Sequence, residues 1–378
     1  MNQIPGDQQR PVVAVLTVGD KFEQFRGNRA NFRDLMRTGK ELDFPVYIVT
    51  VKDLKLSQDK VKGYGYSPEE KAWKRQWFPL PQVIYNRIPQ REDERKPSVR
   101  KKIDECLRHT SIHLFNPYFF NKWVLFDWLK KNHSTRTLVP RTRRLRTPQS
   151  LEEMLLEYRS LYLKPESGKA GKGIMLLQID ERENKTYRLT IQGLKHRNVI
   201  YRTGKLPLLW KRIKRETEKT PYIVQQAIEL ASYNGRHFDL RTLIQKSGKG
   251  NWLVTGIGAR LAGYQRITTH VPQGGSVEDP EKLLVPAFGQ EMTGYLMNRI
   301  KSSAILIAKQ IEKSSGNTLG EMSMDLGIDM DGKIWFFEAN AKPMKFDEPH
   351  IRKKSLERVF QYSLYLHKQG KGVALEKR

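Results

Sequence analysis

The stretch MDLGIDMDGKIWFFEANAKP, Met324 to Pro343, contains the pattern that decides how this chain folds and what it binds. Two apolar segments flank the dipeptide Asp331-Gly332, which predicts a type I′ hairpin turn because both residues tolerate a positive φ. Counting outward from that turn places Asp325 directly opposite Glu338. Side chains alternate along a strand, so Asn340 lies on the same face as Glu338.

This register predicts a cluster of oxygen ligands. Two opposed carboxylates with their Cβ atoms about 5 Å apart repel each other, and no basic residue lies between them on the two strands. A hard cation held by oxygen atoms would remove the repulsion, and Mg²⁺ is the usual candidate. Asp325, Glu338 and Asn340 are therefore candidate metal ligands. An ordinary solvated acidic edge is the alternative that the hairpin alone leaves open.

Length and composition limit the class of protein. A chain of 378 residues suggests two or three domains, and it contains no internal repeat or low-complexity tract. The N-terminus lacks the features of a signal peptide, and no apolar run has the length to span a bilayer. The single cysteine, Cys106, excludes an internal disulfide and is typical of a reducing compartment.

The formal net charge of +27 bears on the partners of the protein. Between Lys185 and Lys219 there are eleven Lys or Arg residues and only two acids, and further basic clusters lie at 141–146 and 352–354. Nucleic acid, an acidic polypeptide and an anionic surface are all partners of suitable charge. A solvated basic face without any partner is the alternative.

The order of predicted elements indicates α/β and α+β regions in succession. The segments VVAVLTV (12–18), VYIVTV (46–51) and QVIYNRI (82–88) are predicted strands that alternate with helices, a pattern that favours a parallel sheet. From Leu161 onward the strands are predicted to form antiparallel hairpins, interrupted by a helix at 291–313 whose apolar residues recur with a period near 3.6. A last helix follows the opening hairpin.

The stretch LKPESGKAGKGI, Leu163 to Ile174, has the composition of a loop that binds phosphate. Three glycines bring backbone N–H groups close to an anion, and Lys169 and Lys172 add positive charge. Lys164, at the end of the preceding strand, could reach a phosphate as a point charge. The spacing matches neither a Walker A loop nor G-x-G-x-x-G. By itself such a loop is also typical of a mobile turn.

At this point the chain resembles the ATP-grasp superfamily of carboxylate–amine ligases across 113–345. The pieces that carry the resemblance occur in order as NKW, LYLKPESGKAGKGI, YIVQQAIEL, FDLRTLIQ, IGARLAG and the opening hairpin. GNRANFRDL, VIYNRIP and FNPYFFNKW extend the likeness to the YheC/YheD family of endospore coat-associated ATP-grasp proteins. The resemblance implies an ATP-grasp fold, with two α+β subdomains clasping ATP.

The implied domains are a parallel-sheet domain at 1–112, a subdomain with a glycine-rich lid loop at 113–228, a subdomain with the metal site at 229–368, and a basic tail at 369–378. The cofactors implied are ATP and one or two Mg²⁺ ions. Residue by residue, the resemblance implies phosphate contacts from Lys122 and Lys164, a lid formed by Ser167, Gly168, Lys169, Gly171 and Gly173, an adenine-reading hinge of Gln225, Gln226, Ala227 and Ile228 with Glu229 near the ribose, and metal ligands at Asp325, Glu338 and Asn340.

The implied catalytic residues are Arg260, which would stabilise the transferring phosphoryl group, and Lys164. An alternative for Arg260 is an ion pair with a structural carboxylate. The segment ITTHVPQGGS, Ile267 to Ser276, is similar to the loop of RimK-type glutamate ligases near the substrates. The candidate substrate residues are Arg241, His270, Gly274, Gly275 and Ser276.

The resemblance implies a ligase that forms an acylphosphate on an acidic peptide or a carboxylate-bearing small molecule, which an amine then attacks. It places the protein in the mother-cell cytoplasm or at the endospore coat, where coat proteins are further candidate partners. A non-catalytic coat or polyanion-binding protein that retains the fold is one alternative. A nucleic-acid binder is another, because Trp73, Trp77 and Phe78 lie among basic residues where bases could stack, although no nucleic-acid motif is present. Packing in the core is the alternative, and the favoured one, for these three aromatic residues.

Overall fold

The computed structural model describes residues 10–168, 171–180, 186–193, 198–264, 266–269, 271 and 274–375. Three sheets of six strands each organise this part of the chain. No helix within it has the length and apolarity needed to cross a membrane. The helices are α1 (Arg29–Glu41), α2 (Arg91–Glu94), α3 (Pro97–Arg108), α4 (Lys122–Lys131), α5 (Pro148–Tyr158), α6 (Leu206–Thr217), α7 (Pro280–Phe288), α8 (Gln290–Ser315) and α9 (Pro349–Leu375), with a short 3₁₀ helix at Arg136–Leu138.

The first sheet has the order β4-β3-β2-β1-β5-β6. Its strands are β1 (Val13–Thr17), β2 (Val46–Thr50), β3 (Lys60–Ser67), β4 (Ala72–Pro79), β5 (Val83–Asn86) and β6 (His113–Phe115). β1 pairs in parallel with β2 and β5, and β5 pairs in parallel with β6, which confirms the predicted parallel sheet. The antiparallel hairpin of β3 and β4 is an addition to that prediction.

The hairpin β3–β4 carries the three aromatic residues considered for the stacking of bases, and two of them pack against the core. Phe78 stacks on Tyr47 with ring centroids 4.3 Å apart, and Trp73 packs edge-on against Phe25 at 5.1 Å. Both therefore belong to the interior of the first domain. Trp77 is 58% exposed, and the ammonium group of Lys62 lies 5.2 Å from its ring centroid. Of the three aromatic residues, Trp77 is thus the one whose ring faces solvent.

Helix α9 joins the first domain to the rest of the chain. The terminal helix is predicted within the subdomain at 229–368, yet Phe360 packs against Phe44 with ring centroids 5.1 Å apart, in the core shared with α1. The same helix contacts β14 (Arg236–Lys246) and β15 (Trp252–Leu261) of the third sheet. It extends to Leu375, so the predicted tail at 369–378 begins as helix, and its last three residues lie outside the described part.

The second sheet is antiparallel throughout, with the order β11-β10-β9-β8-β12-β7. Its strands are β7 (Thr142–Arg144), β8 (Ser160–Pro165), β9 (Met175–Asp180), β10 (Thr186–Ile191), β11 (Val199–Thr203) and β12 (Tyr222–Gln226). Helices α5 and α6 bury the apolar side chains of one face. Helix α5 begins after Thr147, whose side-chain oxygen accepts a hydrogen bond from the backbone of Ser150 and so caps the helix. The other face of this sheet is turned toward the third sheet.

The third sheet has the order β16-β15-β14-β17-β18, with β13 paired to β14. Its strands are β13 (Ser232–Tyr233), β14 (Arg236–Lys246), β15 (Trp252–Leu261), β16 (Ser276–Glu278), β17 (Glu321–Ile328) and β18 (Ile334–Asn340). Helices α4, α7 and α8 pack on one face of it. Phe126 of α4, for example, meets Phe336 of β18 with ring centroids 5.8 Å apart. Although α4 precedes the second sheet in the chain, it therefore packs against the third sheet.

The hairpin β17–β18 has the predicted pairing of Asp325 with Glu338 but not the predicted turn. A type I′ turn needs a positive φ at both central residues, and of the dipeptide only Gly332 has one, at +76°. The loop is longer, because the Asp329 N–H donates to the Lys333 carbonyl and Ile328 pairs with Ile334. The type I′ prediction is therefore wrong. An irregularity in the pairing beside Asp325 restores the predicted register at the two carboxylates.

Candidate active site

A cleft with an empty volume of about 1040 Å³, which includes space open to solvent, lies between the second and third sheets. It is lined by residues from elements far apart in the chain. Among the predicted site residues, the lining includes Lys122, Lys164, Gly168, Gly171, Gln225, Gln226, Ile228, Asp325 and Glu338. Lys172 of the glycine-rich loop and Ile267, Thr268 and Thr269 of the predicted substrate segment line it as well. The lining also includes residues that sequence reasoning did not select, namely Tyr162, His237, Asp239, Arg266 and Phe337.

The two opposed carboxylates each meet a cation from another element. The ammonium Nζ of Lys122, the first residue of α4, lies 2.5 Å from a carboxylate oxygen of Glu338. A guanidinium nitrogen of Arg260 lies 2.8 Å from a carboxylate oxygen of Asp325. Both cations are absent from the two strands themselves, so the hairpin pattern could not reveal them. The repulsion predicted between the carboxylates is thus offset in this structure by basic side chains.

Asn340, the third predicted metal ligand, pairs across the strands with Ser323 and lies on the same face as Glu338. It is not among the residues that line the cleft. Within the described residues, no group of three or more His, Cys, Asp or Glu side chains is arranged to hold a metal ion. A metal ion in this cleft would therefore depend on two carboxylates supplemented by amide oxygens or by oxygens of a ligand.

Lys164 is partly buried in the wall of the cleft, near the end of β8. Its Nζ donates a hydrogen bond to Oε1 of Gln225 at 2.6 Å, and it lies 5.2 Å and 5.4 Å from the ring centroids of Tyr162 and Phe337. Burial lowers the pKa of Lys164 to about 8, and the nearby charge of Lys122 acts in the same direction. A lysine held in this way gains most from an anionic ligand that restores its charged form.

The glycine-rich loop follows Lys164 and borders the cleft. Gly173 has a φ of +74°, and a Cβ at this position would lie 2.7 Å from the hydroxyl of Tyr222, so only glycine fits without strain. Ser167 lies outside the lining and accepts a hydrogen bond from Arg95 of the first domain at 3.4 Å. Lys169 lies outside the described residues. Gly168 and Gly171 of the loop do line the cleft, so the backbone of the loop forms part of the cleft wall.

The predicted hinge is divided between the cleft and the sheet. Gln225, Gln226 and Ile228 line the cleft, whereas the N–H of Ala227 donates to the carbonyl of Ser160 at 3.0 Å. That amide is therefore engaged within the protein and is not available to an adenine edge. Glu229 is exposed and outside the lining.

Arg260 forms a buried ion-pair network at the base of the cleft. Its guanidinium donates two hydrogen bonds to Asp239, at 2.8 Å and 2.7 Å, in addition to the contact with Asp325. Burial by itself lowers the pKa of Arg260, but the charges of Asp239 and Asp325 outweigh it and raise the pKa. The hydroxyl of Thr269 donates a hydrogen bond to Asp239 at 2.6 Å. The ion pair with structural carboxylates, the alternative considered for Arg260, is thus present.

The predicted substrate residues that the structure describes lie outside the lining of the cleft. Arg241 pairs across β14 and β17 with Asp325, and its guanidinium lies 5.4 Å from the ring centroid of Phe346. Gly275 packs tightly, since a Cβ there would lie 2.5 Å from the carbonyl oxygen of Thr269. Ser276 begins β16 and donates to Glu278 at 2.9 Å. Gly274 has a φ of +91°, and His270 lies outside the described residues.

The first half of the same loop contains the residues that reach the cleft. The carbonyl of Ile267 accepts a hydrogen bond from the hydroxyl of Tyr162 at 2.8 Å, and Thr268 donates to the side chain of Gln192 at 2.9 Å. Gln192 in turn donates to the carbonyl of Gly171 at 3.2 Å. The loop therefore connects the lid subdomain with the third sheet. Its polar ITT triplet was the available sequence signal for these residues.

Two antiparallel subdomains that enclose a cleft with two lysines, two carboxylates and a glycine-rich loop define the ATP-grasp class of proteins. The chain matches the family model described as YheC/D like ATP-grasp over residues 111–366, and it belongs to this family. It is 26% identical over 365 residues to the endospore coat-associated protein YheD of Bacillus subtilis (strain 168), which covers 94% of this chain and 79% of that protein. It is 19% identical over 303 residues to YheC of the same organism, covering 80% of this chain and 82% of YheC.

Solved structures agree with the fold. The ATP-grasp ligase PsnB, complexed with a minimal precursor, superimposes with a TM-score of 0.54 at 12% identity, over 94% of this chain and 100% of PsnB. D-alanyl-alanine synthetase A from Vibrio cholerae superimposes with a TM-score of 0.52 at 12% identity, over 97% of this chain and 99% of the synthetase. These likenesses confirm the predicted ATP-grasp fold with its preceding parallel-sheet domain.

Proposed function

We propose that this protein is an ATP-dependent carboxylate–amine ligase that uses Mg²⁺ and acts on an acidic peptide or a carboxylate-bearing small molecule. The observation that carries this proposal is the convergence of Lys122, Lys164, Asp325 and Glu338 on one cleft beside a glycine-rich loop. These residues come from a helix and three strands of two different sheets. A cleft needed only for packing would not gather two lysines and two carboxylates at such a cost in desolvation.

The residues present fit the proposed cofactors. Gly173 permits a backbone conformation that brings the loop close to the cleft wall, and the lowered pKa of Lys164 leaves room for stabilisation by a phosphate. Asp325 and Glu338 are hard oxygen donors of the kind that Mg²⁺ prefers, and Asn340 on the same face supplies an amide oxygen. Bound ATP with its metal would supply the phosphoryl group that activates a carboxylate.

The side chains of the chain itself have separate roles in this proposal. Lys164 and Lys122 would hold negative charge on the phosphate side of the cleft, and Glu338, now paired with Lys122, would be one of the carboxylates that hold a metal ion. Arg260 orients Asp325 through the ion pair at 2.8 Å. Thr268 and Thr269 position the loop at 266–269 against both subdomains through their hydrogen bonds to Gln192 and Asp239.

The names of the relatives support a biological setting. YheD and YheC are both named endospore coat-associated proteins, and the structure of the ATP-grasp ligase PsnB is a complex with a minimal precursor. By analogy we place this protein in the mother-cell cytoplasm of a spore-forming cell or at the coat, with coat proteins among its candidate partners.

A non-catalytic coat or polyanion-binding role is the second candidate. The network of Arg260 favours it, because a guanidinium already paired with two carboxylates is less available to a transferring phosphoryl group. The two candidates differ in turnover: the ligase releases ADP in the presence of an acidic peptide and an amine, and the structural protein binds ATP without release.

The first test is a calorimetric titration with ATP, with and without Mg²⁺. We expect wild-type protein to bind ATP more tightly with Mg²⁺, by at least about tenfold, which corresponds to about 1.4 kcal/mol. In the double variant Glu338→Ala, Asn340→Ala the increment due to Mg²⁺ should disappear. Asp331→Asn, on the exposed turn of the same hairpin, is the matched control and should keep the increment.

The outcomes separate the components of the proposal. No ATP binding by the wild type would refute the nucleotide site. A Mg²⁺ increment that survives in the double variant would place the metal elsewhere. ATP binding without ADP release, across a panel of acidic peptides and amines, would favour the non-catalytic role.

A further inference from the structure

Two arginines face each other on the outer strands of the second sheet. Arg188 of β10 lies directly opposite Arg202 of β11 in the antiparallel register. Within the described part of the chain neither arginine forms a hydrogen bond or an ion pair, and Nε of Arg188 is buried without a partner. Both belong to the basic segment from Lys185 to Lys219, whose role the proposed function leaves open.

The pair lies on the face of the sheet that is turned toward the cleft. Four residues in register form one row across the sheet, from Tyr162 of β8 through Leu176 of β9 and Thr190 of β10 to Ile200 of β11. Tyr162 lines the cleft, so the row marks the face that is turned toward it. Residues directly opposite share a face, and so do residues two apart on a strand. The two arginines are each two positions from this row and therefore share its face. Helices α5 and α6 cover the opposite face.

Opposed like charges in an antiparallel pair destabilise a sheet. Nothing in the folding of the sheet requires two arginines here, since the neighbours of the pair on this face include the uncharged Gln178 and Thr190. A bound anion would convert the repulsion into two charge-assisted contacts. Arginine suits a carboxylate in particular, because its planar guanidinium donates two parallel hydrogen bonds to the two oxygens.

We propose that Arg188 and Arg202 form a second binding point for the acidic substrate, where they hold a carboxylate that does not react. This inference rests on the proposed function for the class of substrate. Strands in a sheet are spaced by about 4.8 Å, so the three steps from β8 to β11 span about 14 Å. An extended peptide rises about 3.3 Å per residue, and about four residues cover that distance. A peptide that reaches across the sheet from β8, at the cleft, to β11 therefore spans about four residues.

The surroundings of the pair favour an acidic peptide over a nucleic acid. Sequence-tolerant binding of single strands relies on exposed aromatic side chains on which bases stack. On this face, among the described strand residues, the neighbours of the pair include the aliphatic Ile200, which is 44% exposed, the polar Gln178 and Thr190, and the acidic Asp180 opposite Thr186, but no aromatic side chain. The exposed Trp77 belongs to the first sheet.

The test is fluorescence anisotropy with a labelled glutamate-rich peptide and the full chain, without nucleotide. We expect Arg188→Gln, Arg202→Gln to weaken binding by at least about tenfold. The matched control is Lys211→Gln, Arg215→Gln, which removes the same charge from exposed positions on α6, on the covered side of the same sheet. It should weaken binding less than about threefold. Arg202→Gln alone should not lower Tm, because it removes repulsion without breaking a contact.

Several results would overturn the inference: no binding of the peptide by the wild type, an equal loss in the pair variant and in the control, or tighter binding of a single-stranded oligonucleotide than of the peptide. A lower Tm for Arg202→Gln would indicate a structural role instead. The ATP titration of each variant keeps this test separate from the proposed function. If the arginine-pair variant loses peptide binding but keeps its ATP affinity, the result supports the arginine pair. If the wild type does not bind ATP, the result refutes the proposed ligase, and the peptide titration still tests the arginine pair.

Discussion

Binding of ATP at alkaline pH should be coupled to uptake of a proton by Lys164. Burial and the charge of Lys122 lower the pKa of this lysine from 10.5 to about 8. This change corresponds to about 3 kcal/mol of unfavourable free energy for the charged form. A phosphate beside the ammonium group stabilises that form and raises the pKa again. The protein therefore binds a proton together with ATP wherever Lys164 is largely neutral beforehand.

The expected stoichiometry follows from the pKa. With a value near 8, about one-quarter of Lys164 is protonated at pH 8.5, so full protonation in the complex takes up about three-quarters of a proton. At pH 7 the uptake falls to about one-tenth of a proton. The assay is calorimetry at each pH in buffers with different enthalpies of ionisation, where the slope of the observed enthalpy gives the number of protons.

Two variants make this test decisive. Lys164→Met should abolish the dependence on buffer and weaken ATP binding, whereas Lys172→Met, at an exposed position in the same cleft, should retain the uptake. An observed enthalpy that is independent of the buffer at pH 8.5 would refute the reasoning. So would an equal dependence in wild type and Lys164→Met.

The same lysine affects stability without ligand. In the unfolded chain Lys164 titrates at its ordinary pKa of 10.5, so the unfolded state binds more protons than the folded state between about pH 8 and pH 10.5. The free energy of unfolding of the wild type should therefore rise with pH across this range, relative to that of Lys164→Met. Urea denaturation at pH 7.5 and 9.5 measures the difference.

Three further perturbations follow from the geometry. Gly173→Ala places a Cβ 2.7 Å from the hydroxyl of Tyr222 at a φ of +74°, and should weaken ATP binding and lower stability by about 1–3 kcal/mol, measured by calorimetry and urea denaturation. Arg87→Met leaves Glu321 buried without its ion pair at 3.1 Å, and should cost about 3–5 kcal/mol in urea denaturation, with Arg75→Met on the surface as control. Thr268→Val removes the bond from the cleft loop to the lid sheet at 2.9 Å, and should raise the KM for ATP with little change in Tm.

The hairpin at 324–343 shows both the reach and the limit of pattern reasoning. The pairing of Asp325 with Glu338 is confirmed, but it results from a longer turn combined with an irregularity beside Asp325, and not from a type I′ turn. The turn depends on the side chain of Asp329. Its carboxylate accepts hydrogen bonds from the backbone N–H groups of Asp331 and Lys333. Such local side-chain bonds compete with the standard turns and are difficult to infer from a dipeptide.

The partners of the charged residues depended on distant parts of the chain. Arg260 and Asp325 are far apart in sequence, as are Lys122 and Glu338, and no periodicity connects them. Sequence reasoning named all four as site residues, yet it could not show that two of them neutralise the other two. It also missed Tyr162, although alternation along the strand places this residue on the same face as Lys164.

The sequence by itself determined the local features: the parallel strands of the first domain, the glycine-rich loop, the two lysines and the opposed carboxylates. These follow from residue type, alternation and spacing, which act over a few residues. The tertiary structure alone decided which face of the second sheet meets the cleft, how α9 joins the domains, and which cation meets which carboxylate. Those outcomes depend on contacts between segments that are remote in the chain, where burial sets the strength of every charge.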